Sequence, residues 1–197
     1  MGEMIKMVVV LLVLSILSGY SLAYLNDYTK DDIESQELKF VKGPAILDIF
    51  DEAENDPIND RFKITDGKVE RSFFIGNIGG KPDYVAFEST GIGFGGNLGV
   101  MVWVKVSEDQ IHGVGVTTHE ETAGIGSKAK DDPTFVKQFK GQSINNAFQV
   151  KADGGKVDAI SGATVTSRGV AAALTDASNI YSRLKPTIVE KMRSHNP

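Results

Sequence analysis

Hydrophobic and polar positions divide the chain into three zones. The first is continuously apolar: Met7 to Leu25 carries no charge and is mostly Val, Leu and Ile. As a helix rising 1.5 Å per residue it would span about 28 Å, close to the hydrocarbon thickness of a bilayer. Tyr20 and Tyr24 near its far end suit an interfacial belt. The pattern predicts one membrane-spanning helix. A cleaved signal peptide competes, because Ser21-Leu22-Ala23 has small residues at cleavage spacing. The run is, however, longer than the roughly 7–15 residues of a signal core. A buried core helix is the third reading and suits an extreme N-terminus poorly. Basic flanking residues nearly balance, with the amino terminus and Lys6 before the run and Lys30 and Lys39 after it. The reading favours the short end inside and the rest of the chain outside.

The second zone, 28–60, is a helical connector between an anchor over 1–27 and a domain over 61–190. Tyr28 to Lys39 is polar and continues the helix. Pro44 opens another short helix with Ile46, Leu47, Ile49 and Phe50 as its apolar stripe. Asn55-Asp56-Pro57 ends it.

In the third zone strand patterns take over from Phe62. Phe62–Thr65 and Lys68–Glu70 read as a tight hairpin about Asp66-Gly67, with Ser72 to Ile78 extending its second arm. After a turn at Gly79–Pro82, Tyr84–Phe87 is a third strand. The glycine-rich loop Gly91–Gly96 precedes a buried strand, Val100–Val106, and a fifth strand, Ile111–Thr117. The order is that of an antiparallel meander, not of βαβ units. Asp131-Asp132-Pro133 starts a short helix whose apolar side is Phe135, Val136 and Phe139, and Gly141 stops it. Gln142–Val150 reads as a strand and Asp153-Gly154-Gly155 as a turn. The last helix places Val170, Leu174, Ala177, Tyr181, Leu184 and Ile188 at alternating spacings of four and three, which marks one buried face. That face packs on the sheet or against a partner. The expected fold class is α+β: an antiparallel twisted sheet flanked by helices, preceded by one N-terminal transmembrane helix.

Composition narrows the chemistry. The 197 residues carry a net charge of −5, which argues against nucleic acid as a partner. The absence of cysteine removes disulfides, thiolate iron–sulfur ligation, thioether haem attachment and Cys-type zinc sites. His112, His119 and His195 are scattered and no HExxH or other His-pair spacing occurs, so a histidine-rich metal site is not expected. Gly91, Gly93 and Gly96 spell GxGxxG, but a strand follows, whereas a dinucleotide fingerprint must open a helix. The plainer reading is backbone passing close to something flat or bulky. His119-Glu120-Glu121 offers a metal cluster, an acid–base pair or simply a solvated turn.

The stretch Asp158-Ala159-Ile160-Ser161-Gly162-Ala163-Thr164 stands out differently. Gly162 and Ala163 leave the Thr164 hydroxyl sterically open just before the helical pattern. Such a hydroxyl can be a nucleophile, an N-cap or a site of covalent modification. A hydrolase is disfavoured: GxSxG is absent, and the only histidine after Ser161 is His195.

Asp158-x-x-Ser161-Gly162-Ala163-Thr164 resembles the flavinylation motif of the FMN-binding domain family. A chance match in a chain of this length is on the order of one in a thousand. Glu121-Thr122-Ala123-Gly124-Ile125-Gly126 is similar to that family's Glu-Thr-Pro-Gly-Leu-Gly segment, with Ala123 for Pro and Ile125 for Leu. Gly93-Phe94-Gly95-Gly96 resembles its Gly-Tyr-Gly-Gly loop, with Phe94 for Tyr and Asn97 where Pro is usual. Within the family the likeness is to the G subunits of Rnf-type ion-translocating electron-transport complexes. The C subunits of sodium-translocating NADH:quinone oxidoreductases are usually longer.

The resemblance implies FMN joined through its phosphate to Thr164. It implies installation by a magnesium-dependent FAD:protein FMN transferase that recognises Asp158 and admits Ser161, Gly162 and Ala163 to its pocket. It also implies a flavin ring lying against Glu121, Thr122, Gly95 and Gly96, with other membrane subunits of an Rnf-type complex as partners. The chain would be a redox subunit and not a catalyst alone. A helix start at Thr164 suits a phosphate. Arg168, four residues on, either approaches that phosphate or is solvated. A stand-alone flavinylated electron carrier and an anchored, non-redox binding or sensory domain are the other classes compatible with the motifs.

Overall fold

The computed structural model describes residues 2–50 and 52–194. Within them the side chains at 31, 34, 35, 39, 45, 48, 49 and 81 are not described. His195 therefore lies outside the described residues, as does the Ile49 side chain of the expected apolar stripe.

The chain divides into two compact units at Phe40–Val41. The first is dominated by helix α1, Gly2–Gln36. Its stretch Gly2–Lys30 reaches a mean hydropathy of 2.2. By length and composition this helix can cross a bilayer. Its Leu, Val and Ile side chains are exposed, as they must be if lipid is to be their solvent.

The second unit opens with α2, Gly43–Ile49, with Pro44 in its first turn. Five strands follow: β1 (Arg61–Asp66), β2 (Val69–Ile78), β3 (Lys81–Ile92), β4 (Asn97–Lys105) and β5 (Gln110–His119). They pair in sequence order, each antiparallel to its neighbour. Two boundaries differ from expectation. Asp66 pairs with Val69, so the β1–β2 turn is Gly67-Lys68, one place later than Asp66-Gly67. β3 runs past Phe87 and absorbs Gly91 and Ile92, which pair with Leu98 and Asn97. The glycine loop is thereby shortened to Gly93–Gly96, closed by the Gly93 N–H on the Gly96 carbonyl at 2.8 Å.

The alternating positions Phe73, Ile75, Val85, Phe87, Val100, Val102, Val104, Val114 and Val116 are all buried in one core cluster. Helix α5, Thr164–Ser194, covers them, packing chiefly on β3. All six residues of its predicted stripe are buried. Phe87 sits between Phe73, with ring centroids 5.3 Å apart, and Tyr181, at 6.5 Å and nearly parallel. On the other side of the sheet Trp103 gathers Phe50, Tyr84 and His112, with centroids 4.4, 5.4 and 4.4 Å away. The fold is α+β, a meander with helices against it.

Two short helices follow β5: α3 (Lys128–Asp131), which the pattern did not announce, and α4 (Pro133–Lys137). The Asp132 carboxylate caps α4, accepting the Thr134 N–H at 2.9 Å. Gln142–Val150 is not a strand. Only the single bridges Gln110↔Ser143 and Val150↔Val157 form there. Ile144, Phe148 and Val150 are buried, but their backbone is satisfied piecemeal. The Ile144 N–H reaches the Asp109 carbonyl and the Phe148 N–H the Thr175 hydroxyl, both at 2.9 Å. The alternation there reports burial of a loop, not a ladder.

Two carboxylates on the sheet side, Asp109 and Asp66, take hydrogen bonds from α5. Asp109, in the β4–β5 turn, accepts from the Tyr181 hydroxyl at 2.7 Å and from Lys185 Nζ at 2.6 Å. Burial pushes its carboxyl up, but the bonds from Lys185 and Tyr181 outweigh that and hold it below the ordinary value. Asp66 is held low by its hydrogen bond from Arg183 and by Arg71. A depressed folded pKa contributes stability that is present above the unfolded value and lost as pH falls through the folded one. The urea midpoint of the chain in detergent should therefore drop on acidification below 3.8, the ordinary Asp value. Asp109→Asn should be less stable at pH 7 and lose less on acidification. Parallel acid profiles for the two would contradict this.

Candidate functional site

The stretch Asp158 to Thr164 is a loop held at both ends. At its start the Gln138 carboxamide accepts the Asp158 N–H at 2.8 Å and donates to the Asp158 carbonyl at 3.2 Å. Its amide nitrogen also donates to the Phe135 carbonyl at 2.7 Å. At its end the buried Ser167 hydroxyl accepts the Ile160 N–H at 2.9 Å and donates to the Ala163 carbonyl at 3.0 Å. Between them the Ala163 N–H closes a turn on the Ile160 carbonyl at 3.0 Å. Gly162 takes φ +81° in that turn, a value that glycine adopts without strain. The turn delivers Thr164 as the first residue of α5. Thr164 is half-buried, and its hydroxyl makes no hydrogen bond among the described residues. It therefore does not cap the helix. The first backbone N–H groups of a helix lack intrahelical partners.

Thr164 opens on a cleft of about 430 Å³. Phe94 of the β3–β4 loop forms one wall, the segment after β5 another (Glu121, Thr122, Ile125), and Gly162 to Thr166 the third. Three stretches far apart in sequence thus meet in one place. Glu121 joins them, accepting the Gly95 N–H at 3.1 Å and the Thr166 hydroxyl at 2.7 Å. Beyond α2, the large exposed apolar residues that are described are Val69, Ile92, Phe94, Ile125 and Val165, and the last three line this cleft. Phe94 is 74% exposed. A concentration of exposed apolar surface at a concave site marks a place where something binds.

Of the residues singled out from the sequence, Thr164, Ala163, Gly162, Glu121 and Thr122 line the cleft. Gly95 contributes its N–H, and Gly96 lies beside the Glu120 carboxylate. Ser161 is exposed on the turn and is not among the lining residues. The Asp158 carboxylate pairs with Lys151 at 2.6 Å, and both side chains are exposed. Arg168 is exposed, in keeping with the solvated reading, and is paired at the surface. It makes two bonds of 2.7 Å to Asp153, whose carboxyl it holds below the usual range. The short helical turn Lys151–Asp153 supplies that partner. No cluster of three or more His, Cys, Asp or Glu side chains able to hold a metal occurs among the described residues. The sequence reading missed Gln138, Thr166 and Ser167. Thr166 and Ser167 carried a signal: they are polar positions continuing the buried, otherwise largely apolar face of an amphipathic helix.

Comparison with known proteins places this geometry. Residues 93–179, which span the glycine loop, the Glu121 segment and the Thr164 turn, match the FMN-binding domain. The chain is 30% identical over 181 residues to the G subunit of the ion-translocating oxidoreductase complex of Cereibacter sphaeroides, covering 86% of this chain and 80% of the relative. It is 28% identical over 190 residues to the protein of the same name from Shewanella oneidensis, covering 89% and 88%. Among solved structures, the C subunit of the Na(+)-translocating NADH-quinone reductase from Parabacteroides distasonis superposes with a TM-score of 0.55. It is 22% identical, with 83% of this chain and 96% of that one covered. Shewanella oneidensis NqrC gives 0.51 at 24% identity, covering 73% and 72%. These two likenesses establish the fold. The cleft and its match define an FMN-binding domain protein. More particularly, the chain belongs to the family of G subunits of ion-translocating oxidoreductase complexes.

Proposed function

We propose that this chain is a membrane-anchored electron-transfer subunit that carries FMN through a phosphoester on Thr164, within an Rnf-type ion-translocating complex. The observation that carries the reading is the unbonded Thr164 hydroxyl at the start of α5, opening on a cleft walled by the two other family segments. The residues fit the group. The cleft volume falls within the roughly 300–1,000 Å³ of small-molecule sites, and its walls are apolar with a few convergent polar groups. A helix N-terminus offers unpaired N–H groups and a positive end to a phosphate. When bound, FMN supplies the redox chemistry.

Thr164 provides the oxygen of the tether. Gly162 and Ala163 keep that oxygen accessible, with Ser161 beside them on the turn. Glu121, Thr122, Gly95 and Gly96 lie against the ring, whose apolar part meets Phe94, Ile125 and Val165. Asp158 is the recognition acid for an FAD:protein FMN transferase. Helix α1 anchors the domain, which faces the extracytoplasmic side. The other membrane subunits of the complex are its partners, in keeping with the names of its relatives.

The test is intact mass of the full chain produced with and without the transferase. With it, the chain should gain one FMN-phosphoryl unit and fluoresce in a denaturing gel. It should also co-purify with other membrane subunits from its native host. A chain that stays at its polypeptide mass beside an active transferase would end the proposal.

A further inference from the structure

The glycines of two separate stretches surround one carboxylate. A Cβ added at Gly93 would overlap Glu121 Oε1, and one at Gly126 would overlap Glu121 Oε2. At Gly95 it would overlap the Glu120 carbonyl and come within 3.2 Å of the Glu121 Cα. The family segments therefore leave room for the Glu121 side chain as much as for a ligand. The carboxylate is fixed from two directions, by the Gly95 N–H at 3.1 Å and by the Thr166 hydroxyl at 2.7 Å. Its own N–H is held by His119 Nδ1 at 3.3 Å. Both carboxylate donors are neutral, and no Lys or Arg pairs with Glu121 among the described residues. Glu121 is half-buried and lines the cleft.

A carboxylate held by two neutral donors, with no Lys or Arg paired to it among the described residues, presents at that wall a charge that no basic side chain offsets. Charges interact far more strongly in a partly desolvated site than in water. We infer that Glu121 is a potential-setting residue: its fixed, uncompensated charge opposes the arrival of electrons in the cleft and holds the midpoint potential of the site low. Gly95 and Thr166 are positioning residues that keep the charge in place. The inference rests on the reading of the cleft as the flavin site. The neighbouring acid, Glu120, supplies a comparison of equal charge, because it is exposed and is not among the residues that line the cleft.

The experiment is spectroelectrochemical titration of the full chain in detergent, loaded by the transferase and verified by intact mass. Glu121→Gln should raise the midpoint potential. Glu121→Asp, which keeps the charge, should stay near the wild type. Glu120→Gln should shift it less, and that smaller shift should shrink at high salt while the Glu121→Gln shift persists, since exposed charges are screened most. A loaded Glu121→Gln chain at the wild-type potential would overturn the inference, as would a shift no larger than that of Glu120→Gln. A wild type without covalent flavin would instead overturn the flavin reading beneath it.

Discussion

Thr164→Ala is expected to abolish covalent flavin completely. Produced with the transferase, the wild-type chain should gain one FMN-phosphoryl unit; the variant should keep its polypeptide mass and show no fluorescence in a denaturing gel. The structure separates the four nearby hydroxyls. Ser167 is buried and donates to the Ala163 carbonyl. Thr166 is buried and donates to Glu121. Ser161 is exposed but stands outside the cleft. Thr164 alone combines a free hydroxyl with a place on the cleft wall and at the start of a long helix. Thr164→Ser, which preserves the oxygen, should be flavinylated. Because the Thr164 hydroxyl holds nothing in place, its removal should change stability by no more than about 0.5 kcal/mol. Matching melting curves for wild type and variant, both without flavin, would show that attachment was lost and the fold was not. Covalent flavin on Ser161 in the variant would move the tether and refute the assignment.

Phe87→Ala should be among the most damaging single changes to the domain. Phe87 is fully buried at the centre of β3, between Phe73 and Tyr181. Truncation removes a ring from a packed column and leaves a cavity that the sheet cannot close. Changes of this kind cost about 3–5 kcal/mol. Total stabilities are about 5–15 kcal/mol, so much of the margin would go. Urea titration should show a large fall in midpoint. Val69→Ala, on the half-exposed side chain that starts β2, should lie within about 0.5 kcal/mol of wild type. Equal midpoints for Phe87→Ala and Val69→Ala would show that the core does not centre on this column.

The two variants separate the layers of the protein. One should remove the proposed attachment and spare the fold; the other should weaken the fold without touching the cleft. Between them stand Gln138 and Ser167, which hold the loop from Asp158 to Thr164 by hydrogen bonds to its backbone. Their bonds satisfy backbone groups at both ends of an exposed, glycine-containing turn.

The amino-acid sequence by itself determined the elements whose signals are local. An uncharged run from Met7 to Leu25 is a helix able to cross a bilayer whatever surrounds it. The spacing of Val170, Leu174, Ala177, Tyr181, Leu184 and Ile188 specifies a buried helix face, and strands separated by short turns pair with their neighbours. The small residues Gly162 and Ala163 before Thr164 marked a sterically open hydroxyl at the start of a helix, and α5 does begin there.

Tertiary structure decided what depends on groups distant in the chain. Gln142–Val150 alternates like a strand, yet its backbone found its partners in Asp109 and Thr175. Arg168 found its partner, Asp153, on a helical turn that only the fold brings beside α5. Glu121 looked like one of two adjacent acids on a turn. Only the meeting of the β3–β4 loop, the segment after β5 and the start of α5 gave it Gly95 and Thr166 as donors. Periodicity encodes which face of an element is buried; it holds no record of which distant group will satisfy a side chain once that face is covered.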